Sequence, residues 1–126
     1  MSDHIRVLVI DDHVEHADGL TELLNLRGFE TTRAHSGQEG LKLAAQLSVD
    51  AVLLDINLPD MSGYEVCQRL REDGRTANTA IIFHSGSSAP YKDEHLGDAF
   101  LTYPVEFPVL FNVIRGCVAR RRSVVA

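Results

Sequence analysis

Five short segments of the chain have the apolar or β-branched character of strands, and each is followed by a longer stretch of mixed polar and apolar residues. Residues 5–10 are the clearest case, with five apolar residues and one arginine before the run stops at Asp11. A short run of this kind is typical of a strand that is buried on both faces. Similar patterns predict strands at residues 30–34, 51–54, 80–83 and 99–102.

Helical spacing of apolar residues fills most of the intervening stretches. The first stripe consists of Leu20, Leu23, Leu24 and Leu26, and Gly28 follows it in the manner of a helix C-cap. Comparable stripes predict helices around residues 41–47, 64–70 and 109–118. Residues 87–97 differ, because they contain a proline and a single strongly apolar residue, so a loop with at most a short helix is expected there.

This alternation predicts the α/β fold class, with a doubly wound, five-stranded parallel sheet that has helices on both faces. Ligands of such sheets bind beyond the carboxyl ends of the strands. The residues found at those ends are Asp11, Asp12, Asp55, Ser85 and Tyr103. The sequence therefore predicts that three carboxylates and a hydroxyl converge at one edge.

Length and charge narrow the function classes. The 126 residues suit one domain, which we place at residues 4–122 without a second domain. A formal net charge of −6 argues against direct nucleic-acid binding by this domain. The basic residues 120–122 are interpreted as the polar end of the last helix. No apolar run is long enough to span a membrane, and the N-terminus is polar. We therefore expect a cytoplasmic location and no membrane partner.

The cysteines and most of the histidines suggest no chemistry. Cys67 and Cys117 form no CxxC pair, and we interpret both as small apolar side chains of helices. His13 follows the acidic pair and is interpreted as an exposed loop residue. The other histidines that lie away from the strand ends are scattered along the sequence and predict no zinc site. They are His4, His16, His35 and His95.

Three carboxylates brought together repel one another unless a cation compensates them. Mg²⁺ suits a site of few carboxylates and several waters, and it also suits phosphoryl chemistry. Asp55 is the candidate nucleophile, because aspartates form acyl phosphates. The alternative is that each aspartate merely ends a strand or caps a helix, as Asp12 would if it were an N-cap.

Two motifs resemble the receiver domain of two-component response regulators, and the resemblance covers residues 6–120. Residues 9–12 (VIDD) resemble the family's acidic pair, and residues 54–63 (LDINLPDMSG) resemble its phosphoacceptor segment. The resemblance implies a flavodoxin-like sheet of order 2-1-3-4-5 and Mg²⁺ as cofactor. It also implies phosphorylation of Asp55 by a sensor histidine kinase or a histidine phosphotransfer protein, which changes a surface for a downstream protein of unknown identity.

The resemblance also implies further roles. The metal would be held by the side chains of Asp12 and Asp55, by Asp11 partly through water, and by the backbone carbonyl of Asn57. Ser85 matches the switch hydroxyl that binds a phosphoryl oxygen, and Gly86 leaves room for the phosphoryl group. Phe100 matches the aromatic switch position, although a half-buried strand aromatic is an equally good interpretation.

The sequence departs from the family at two places. Tyr103 occupies the position of the family's strand-five lysine, and a phenol brings no positive charge. His84 and Lys92 are candidates to replace that lysine. The family's proline is kept, so a cis Tyr103–Pro104 peptide bond is expected. The second departure is the short segment between Ser85 and Tyr103, which predicts that the family's fourth helix is short or absent.

Three functions are compatible with these observations. The first is a phosphoaccepting signalling module, which is not an enzyme with an external substrate but slowly dephosphorylates itself. The second, motivated by Tyr103 and by the shortened fourth-helix region, is an atypical receiver-like interaction module that does not switch by phosphorylation. The third is an enzyme such as a phosphatase on the same fold, against which stands the absence of a glycine-rich phosphate loop in the sequence.

Overall fold

The computed structural model describes residues 4–86 and 96–125, and within these ranges strands alternate with helices as predicted. The strands are β1 (Arg6–Ile10), β2 (Glu30–Ala34), β3 (Ala51–Asp55), β4 (Ala80–Ser85) and β5 (Ala99–Thr102). The helices of the described ranges are α1 (Val14–Leu26), α2 (Gly37–Leu47), α3 (Gly63–Glu72) and α4 (Phe107–Val125). The prediction of a short or missing helix between β4 and β5 concerns residues 87–95, which lie outside the described residues, as does Lys92.

The five strands form one parallel sheet of order β2-β1-β3-β4-β5, which confirms the predicted fold class. One row of the register contains Ile10, Leu54, Phe83 and Phe100. The residues that follow these four in the chain are Asp11, Asp55, His84 and Leu101, of which the first three are polar. β4 continues two residues beyond the predicted run, because His84 and Ser85 stay paired with β5. The polar residues thus follow the apolar ones at a common edge.

The sheet is buried on both faces because alternate strand residues point to opposite sides. Val7 and Val9 of β1 belong to a core that also contains leucines and isoleucine of α1 and α4. Leu8 and Ile10 belong to the opposite core, which contains apolar residues of α2 and α3. This arrangement fixes α1 and α4 on one face and α2 and α3 on the other. Cys67 and Cys117 are both buried and unpaired, as expected of apolar fillers.

Two helices begin at serine caps, and one does not. The Oγ atoms of Ser36 and Ser62 accept hydrogen bonds of 3.2 Å from the N–H groups three residues later, at the starts of α2 and α3. The N-cap of α1 is His13, which makes no side-chain cap bond. The alternative interpretation of Asp12 as an N-cap is therefore wrong. After α1 the chain turns at Gly28, whose φ of 94° is a conformation that favours glycine.

A largely buried ion-pair network ties α3, β4 and α4 together at the far end of the sheet. The Asp98 carboxylate accepts hydrogen bonds from Arg71 (3.0 Å), from Arg121 (2.9 Å) and from the backbone N–H of Ile81 (2.7 Å). Arg121 belongs to the basic group that the sequence assigned only to the polar end of a helix. Among the described residues, no helix has the length and apolar character needed to cross a bilayer.

Candidate functional site

A pocket of about 460 Å³ opens at the carboxyl ends of β1, β3, β4 and β5. It contains seven of the predicted site residues, which are Asp11, Asp12, Asp55, Asn57, Ser85, Gly86 and Tyr103. Three histidines also line it, namely His13, His16 and His84. Phe100 does not line the pocket. The edge that the strand order predicts is thus the edge at which the polar residues meet.

The two residues of the acidic pair have different environments. Asp11 directly follows β1 and is 1% exposed, whereas Asp12 is exposed. The Oδ1 atom of Asp11 accepts a 2.9 Å hydrogen bond from the backbone N–H of His13, and its Oδ2 atom is hydrogen-bonded to Nδ1 of His16. Two hydrogen bonds therefore connect Asp11 to the start of α1, while the Asp12 carboxylate faces the pocket and solvent.

Asp55 ends β3 and is half-buried. Burial raises the pKa of Asp55 to about 6; the backbone N–H of Asn57 opposes the rise, and the charges of Asp11 and Asp12 add to it. The Asn57 N–H donates to Asp55 Oδ1 over 3.3 Å. At neutral pH the Asp55 carboxyl is therefore mostly ionised, in a place where negative charge is crowded. Such a site attracts a cation.

The loop after Asp55 is packed tightly against the end of β3. The Gly63 N–H donates a 2.7 Å hydrogen bond to the carbonyl of Ile56. A Cβ atom at Gly63 would lie 2.3 Å from the carbonyl oxygen of Asp55, which is backbone and has little room to move. Glycine at this position therefore allows the β3–α3 loop to return beside the strand and keeps Asn57 next to Asp55.

Beside the carboxylates lies a cluster of three aromatic rings, those of His16, His84 and Tyr103. Their ring centroids are 4.8 Å apart for His16 and Tyr103, 5.1 Å for His84 and Tyr103, and 5.8 Å for the two histidines. Burial lowers the pKa of His84 to about 4, an effect that the Asp11 charge opposes, so its imidazole is neutral at pH 7. Burial likewise raises the pKa of the Tyr103 phenol, and the charges of Asp11 and Asp55 raise it further.

Two polar atoms of this cluster are buried without a hydrogen-bond partner among the residues that the structure describes. They are Nε2 of His84 and the hydroxyl oxygen of Tyr103. Buried polar atoms are paired in most proteins, so an unpaired one deserves an explanation. His84 was considered from the sequence as a replacement for the lysine, but a neutral imidazole provides no positive charge. Neither His84 nor Tyr103 therefore provides the positive charge that the resemblance predicts at this position.

The remaining predicted residues lie on β4 and β5 or directly after them. Ser85 is buried, and its carbonyl accepts a 2.9 Å hydrogen bond from the Tyr103 N–H. The Tyr103–Pro104 peptide bond is cis. Phe100 is half-buried in the core that contains α2 and α3, and it packs against Phe83 with ring centroids 6.3 Å apart. Ser85 thus lines the pocket, whereas Phe100 does not.

The role of His16 is not predicted from the sequence. His16 lies in the first turn of α1, five positions after Asp11. The available signal was its position, because the first turn of a helix that follows a strand lies above the carboxyl end of that strand. No local sequence pattern predicts the contact between His16 and His84, because they are 68 positions apart (84 − 16). They come together only through the order of the strands in the sheet.

Comparison with known proteins identifies the family to which the chain is similar. A family model described as the response regulator receiver domain matches residues 7–105. The chain is 32% identical over 120 residues to the DNA-binding dual master transcriptional regulator RpaA of Synechocystis sp. (strain ATCC 27184 / PCC 6803 / Kazusa), with 91% of this chain and 49% of RpaA covered. It is also 32% identical over 124 residues to the sensor histidine kinase AtsR of Burkholderia thailandensis, which covers 94% of this chain and 20% of AtsR. The chain thus spans half or less of the length of these two curated relatives.

A solved structure of a response regulator has a similar fold. The response regulator protein TrrA of Thermotoga maritima, crystallised in complex with Mg²⁺ and BeF, superposes with a TM-score of 0.82 at 28% identity. The superposition covers 90% of this chain and 98% of TrrA. Since the family model covers most of the chain and the sheet has the matching strand order, the chain belongs to the response regulator receiver domain family.

Proposed function

We propose that the chain is a phosphoacceptor that takes a phosphoryl group on Asp55 from a histidine kinase or a histidine phosphotransfer protein. The observation that carries this proposal is the meeting of Asp55 with Asp11 and Asp12 in one pocket at the ends of the strands. Its pKa of about 6 supports the role, because an ionised carboxylate is the nucleophilic form and predominates at pH 7. The chain acts as a switch and not as an enzyme with an external substrate.

The donor set at this edge fits Mg²⁺. The side chains of Asp11, Asp12 and Asp55 and the main-chain carbonyl of Asn57 are all oxygen donors, which Mg²⁺ prefers. The raised pKa of Asp55 fits as well, because part of the rise comes from negative charge that a cation would balance. When bound, Mg²⁺ supplies the positive charge that offsets the phosphoryl oxygens. The crystal structure of TrrA, which contains Mg²⁺ and BeF, supports this assignment for a relative of the same fold.

The transfer itself needs one nucleophile and one leaving group. A carboxylate oxygen of Asp55 forms a bond to phosphorus while the bond between phosphorus and the donor imidazole nitrogen breaks. The electron pair of that bond stays on the imidazole. Ser85 lies at the same edge, where its hydroxyl is suited to donate to a phosphoryl oxygen, and Gly86 leaves the entrance open. Slow attack of water on the acyl phosphate then returns Asp55 to its free form.

The output of the switch runs through β4 and β5. Ser85 pairs with Thr102, and Phe83 pairs with Phe100, so a shift of Ser85 toward a phosphoryl group pulls on the strand that carries Phe100. Phe100 is half-buried against Phe83, an environment from which an aromatic ring can turn inward. The downstream partner is a protein that recognises the surface around β5. This proposal covers residues 4–122, and a cytoplasmic setting fits a histidine kinase as donor.

The donor protein has a suitable docking surface directly beside the pocket. An apolar groove of about 600 Å³ runs between α1 and the segment after β5, and it shares His16 and Tyr103 with the phosphoacceptor pocket. Phe107 lines this groove and is 52% exposed. A protein seated here would hold its phosphohistidine at the entrance to Asp55. Phe107→Asp should therefore have different effects on two phosphoryl donors. It should strongly slow transfer from a purified histidine kinase that is able to phosphorylate the wild type. It should slow phosphorylation by acetyl phosphate much less.

A second candidate function is an interaction module that does not switch by phosphorylation. The observation that favours it is the buried hydroxyl of Tyr103, which stands where the family has a positive charge and has no partner among the described residues. A charge-assisted hydrogen bond contributes about 1.5–3 kcal/mol, so its absence weakens both phosphoryl binding and the pull on Ser85. Under this alternative, Mg²⁺ still binds but the acyl phosphate does not accumulate.

One assay separates the two functions. The purified chain is incubated with Mg²⁺ and acetyl phosphate, and its intact mass is measured with and without excess EDTA. The proposal expects the mass gain of one phosphoryl group, which requires Mg²⁺ and is absent in Asp55→Asn. Asp60→Asn is the matched control, because Asp60 is an exposed aspartate of the same loop that caps α2 through Gly37 and Gln38. An unchanged mass for the wild type, or an equal gain in Asp55→Asn, would contradict the proposal.

A further inference from the structure

A second group of metal ligands lies beside the carboxylates of the proposed Mg²⁺ site. Asp11 at the end of β1, His16 in α1 and His84 in β4 each offer one ligand atom, and these atoms all lie within 4.8 Å of one another. Three different elements contribute the three residues, so the arrangement is a product of the fold. Of these residues only Asp11 also belongs to the proposed Mg²⁺ site.

Two of the three residues are buried, and one of them has an unused ligand atom. Asp11 and His84 are each 1% exposed. The Nε2 atom of His84 is buried and lacks a hydrogen-bond partner within residues 4–86 and 96–125, and so does the Tyr103 hydroxyl beside it. Leaving a buried polar atom unpaired costs about 1–3 kcal/mol. A ligand that accepts an imidazole lone pair would remove this cost, and a metal cation is the simplest such ligand.

The chemistry of the three residues selects the type of cation. Two imidazoles and one carboxylate are the nitrogen-rich set that zinc sites use, whereas Mg²⁺ requires oxygen donors. Ligand atoms on tetrahedral Zn²⁺ are about 3.4 Å apart, given metal–ligand distances of about 2.0–2.1 Å. Binding of Zn²⁺ would need side-chain shifts of about 1 Å, which shorten the longer separations in the group and lengthen the hydrogen-bonded contact between Asp11 and His16. Three protein ligands leave a fourth coordination position for water.

We propose that Asp11, His16 and His84 bind a Zn²⁺ ion at a site that is distinct from the Mg²⁺ site and shares Asp11 with it. From the sequence, the scattered positions of the histidines predict no zinc site. The fold nevertheless brings His16 beside His84. Binding of Zn²⁺ by these three residues does not depend on the phosphoacceptor function. A further consequence does rest on that function, since the ion would place positive charge beside Tyr103, where the family's lysine is missing.

The test uses the full 126-residue chain without an affinity histidine tag, after treatment with EDTA and dialysis. Zn²⁺ is titrated by calorimetry, and Co²⁺ is titrated by its visible absorption, which reports tetrahedral nitrogen and oxygen ligands. One Zn²⁺ per chain is expected. His16→Gln and His84→Gln should each weaken Zn²⁺ binding on the order of 100-fold, since even residues outside the ligand shell contribute 10- to 100-fold.

His13→Gln is the matched control. His13 is an exposed histidine of the same loop, and with Asp11 and Asp12 it forms a competing group of ligand atoms. The proposal expects His13→Gln to bind Zn²⁺ within about twofold of the wild type, a change too small for the loss of a ligand. Asp55→Asn should also keep Zn²⁺ binding although it cannot be phosphorylated, so a failure of the phosphoacceptor function leaves this measurement intact.

Folding is checked by circular dichroism for each variant, because His84 is buried. His16 is only partly buried, so His16→Gln keeps the test decisive if His84→Gln unfolds. Three results would overturn the proposal. They are no Zn²⁺ binding by the wild type up to millimolar concentration, unchanged binding in His16→Gln, or loss of binding in His13→Gln. The first result would assign the unpaired Nε2 of His84 to a buried water.

Discussion

His16 in the first turn of α1 holds the carboxylate of Asp11 at the end of β1 through a hydrogen bond from Nδ1 to Oδ2. A second hydrogen bond from the backbone N–H of His13 engages the other carboxylate oxygen of Asp11. The neighbouring Asp12 is exposed. The two residues of the acidic pair are therefore expected to have separable roles, with Asp11 contributing to the fold as well as to the site.

Asp11→Ala is expected to lower the free energy of unfolding by about 2–3 kcal/mol in the absence of metal, because two buried hydrogen bonds are lost. Asp12→Ala should change it by less than about 0.5 kcal/mol, as exposed substitutions usually do. It should nevertheless weaken Mg²⁺ binding by about tenfold or more, since one charged ligand is removed. Urea unfolding and calorimetric Mg²⁺ titration measure the two quantities. Equal destabilisation by both variants would contradict the separation of roles.

Asp55→Asn should stabilise the metal-free protein in a pH-dependent way. Folding raises the pKa of Asp55 from 3.8 to about 6, so the folded chain holds this proton more tightly than the unfolded chain. The stability that this group contributes is present below about pH 4 and is lost as the pH rises through about 6. At pH 7 in EDTA we expect Asp55→Asn to be more stable than the wild type by about 1–2 kcal/mol, allowing for partial exposure.

The difference between Asp55→Asn and wild type should become small near pH 4, where the Asp55 carboxyl of the folded chain is protonated. Urea unfolding followed by circular dichroism at pH 4 and pH 7 measures it, and the absence of tryptophan from the chain makes this the suitable signal. A stabilisation of the same size at both pH values would show that packing, and not charge, is responsible.

Tyr103→Lys should strengthen the binding of beryllofluoride in the presence of Mg²⁺. The substitution places a positive charge beside Asp11 and Asp55. The negative charges of these two residues already raise the pKa of the Tyr103 phenol. A charge-assisted hydrogen bond of about 1.5–3 kcal/mol corresponds to an affinity gain of about tenfold or more. Tyr103→Phe is the control, because it removes only the unpaired hydroxyl and should leave the affinity nearly unchanged. A Tyr103→Lys protein that binds no better than wild type would contradict this account.

Asp98→Ala should be among the most destabilising substitutions outside the site. It leaves the largely buried Arg71 without its carboxylate partner and leaves the Ile81 N–H unpaired. Loss of one partner of a buried pair costs about 3–5 kcal/mol. Asp73→Ala removes the partner of Arg75 on the surface and should cost much less stability, because exposed ion pairs contribute little. Urea unfolding compares the two, and similar losses of stability would contradict the structural importance of the network.

The sequence allowed the fold and the outline of the site to be predicted for a physical reason. Buried parallel strands must be apolar, so their ends are visible as the points where polar residues begin, and Asp11 and Asp55 stand at two such points. Polar contacts between distant segments leave no comparable pattern. The Asp98 network and the meeting of His16 with His84 depend on how helices are rotated against the sheet, which apolar spacing alone does not specify. The environment of Phe100, which packs against Phe83 and does not line the pocket, is likewise visible only in the structure.

A crystal structure of the chain grown with Mg²⁺ and beryllofluoride tests the central claim most directly. Beryllofluoride mimics a phosphoryl group on a carboxylate oxygen. The proposal predicts beryllium bonded to a carboxylate oxygen of Asp55, with Mg²⁺ held by Asp11, Asp12, Asp55 and the carbonyl of Asn57. Beryllofluoride bound to another residue, or Mg²⁺ in the pocket with an unmodified Asp55 at saturating beryllofluoride, would contradict the assignment of Asp55 as the phosphoacceptor.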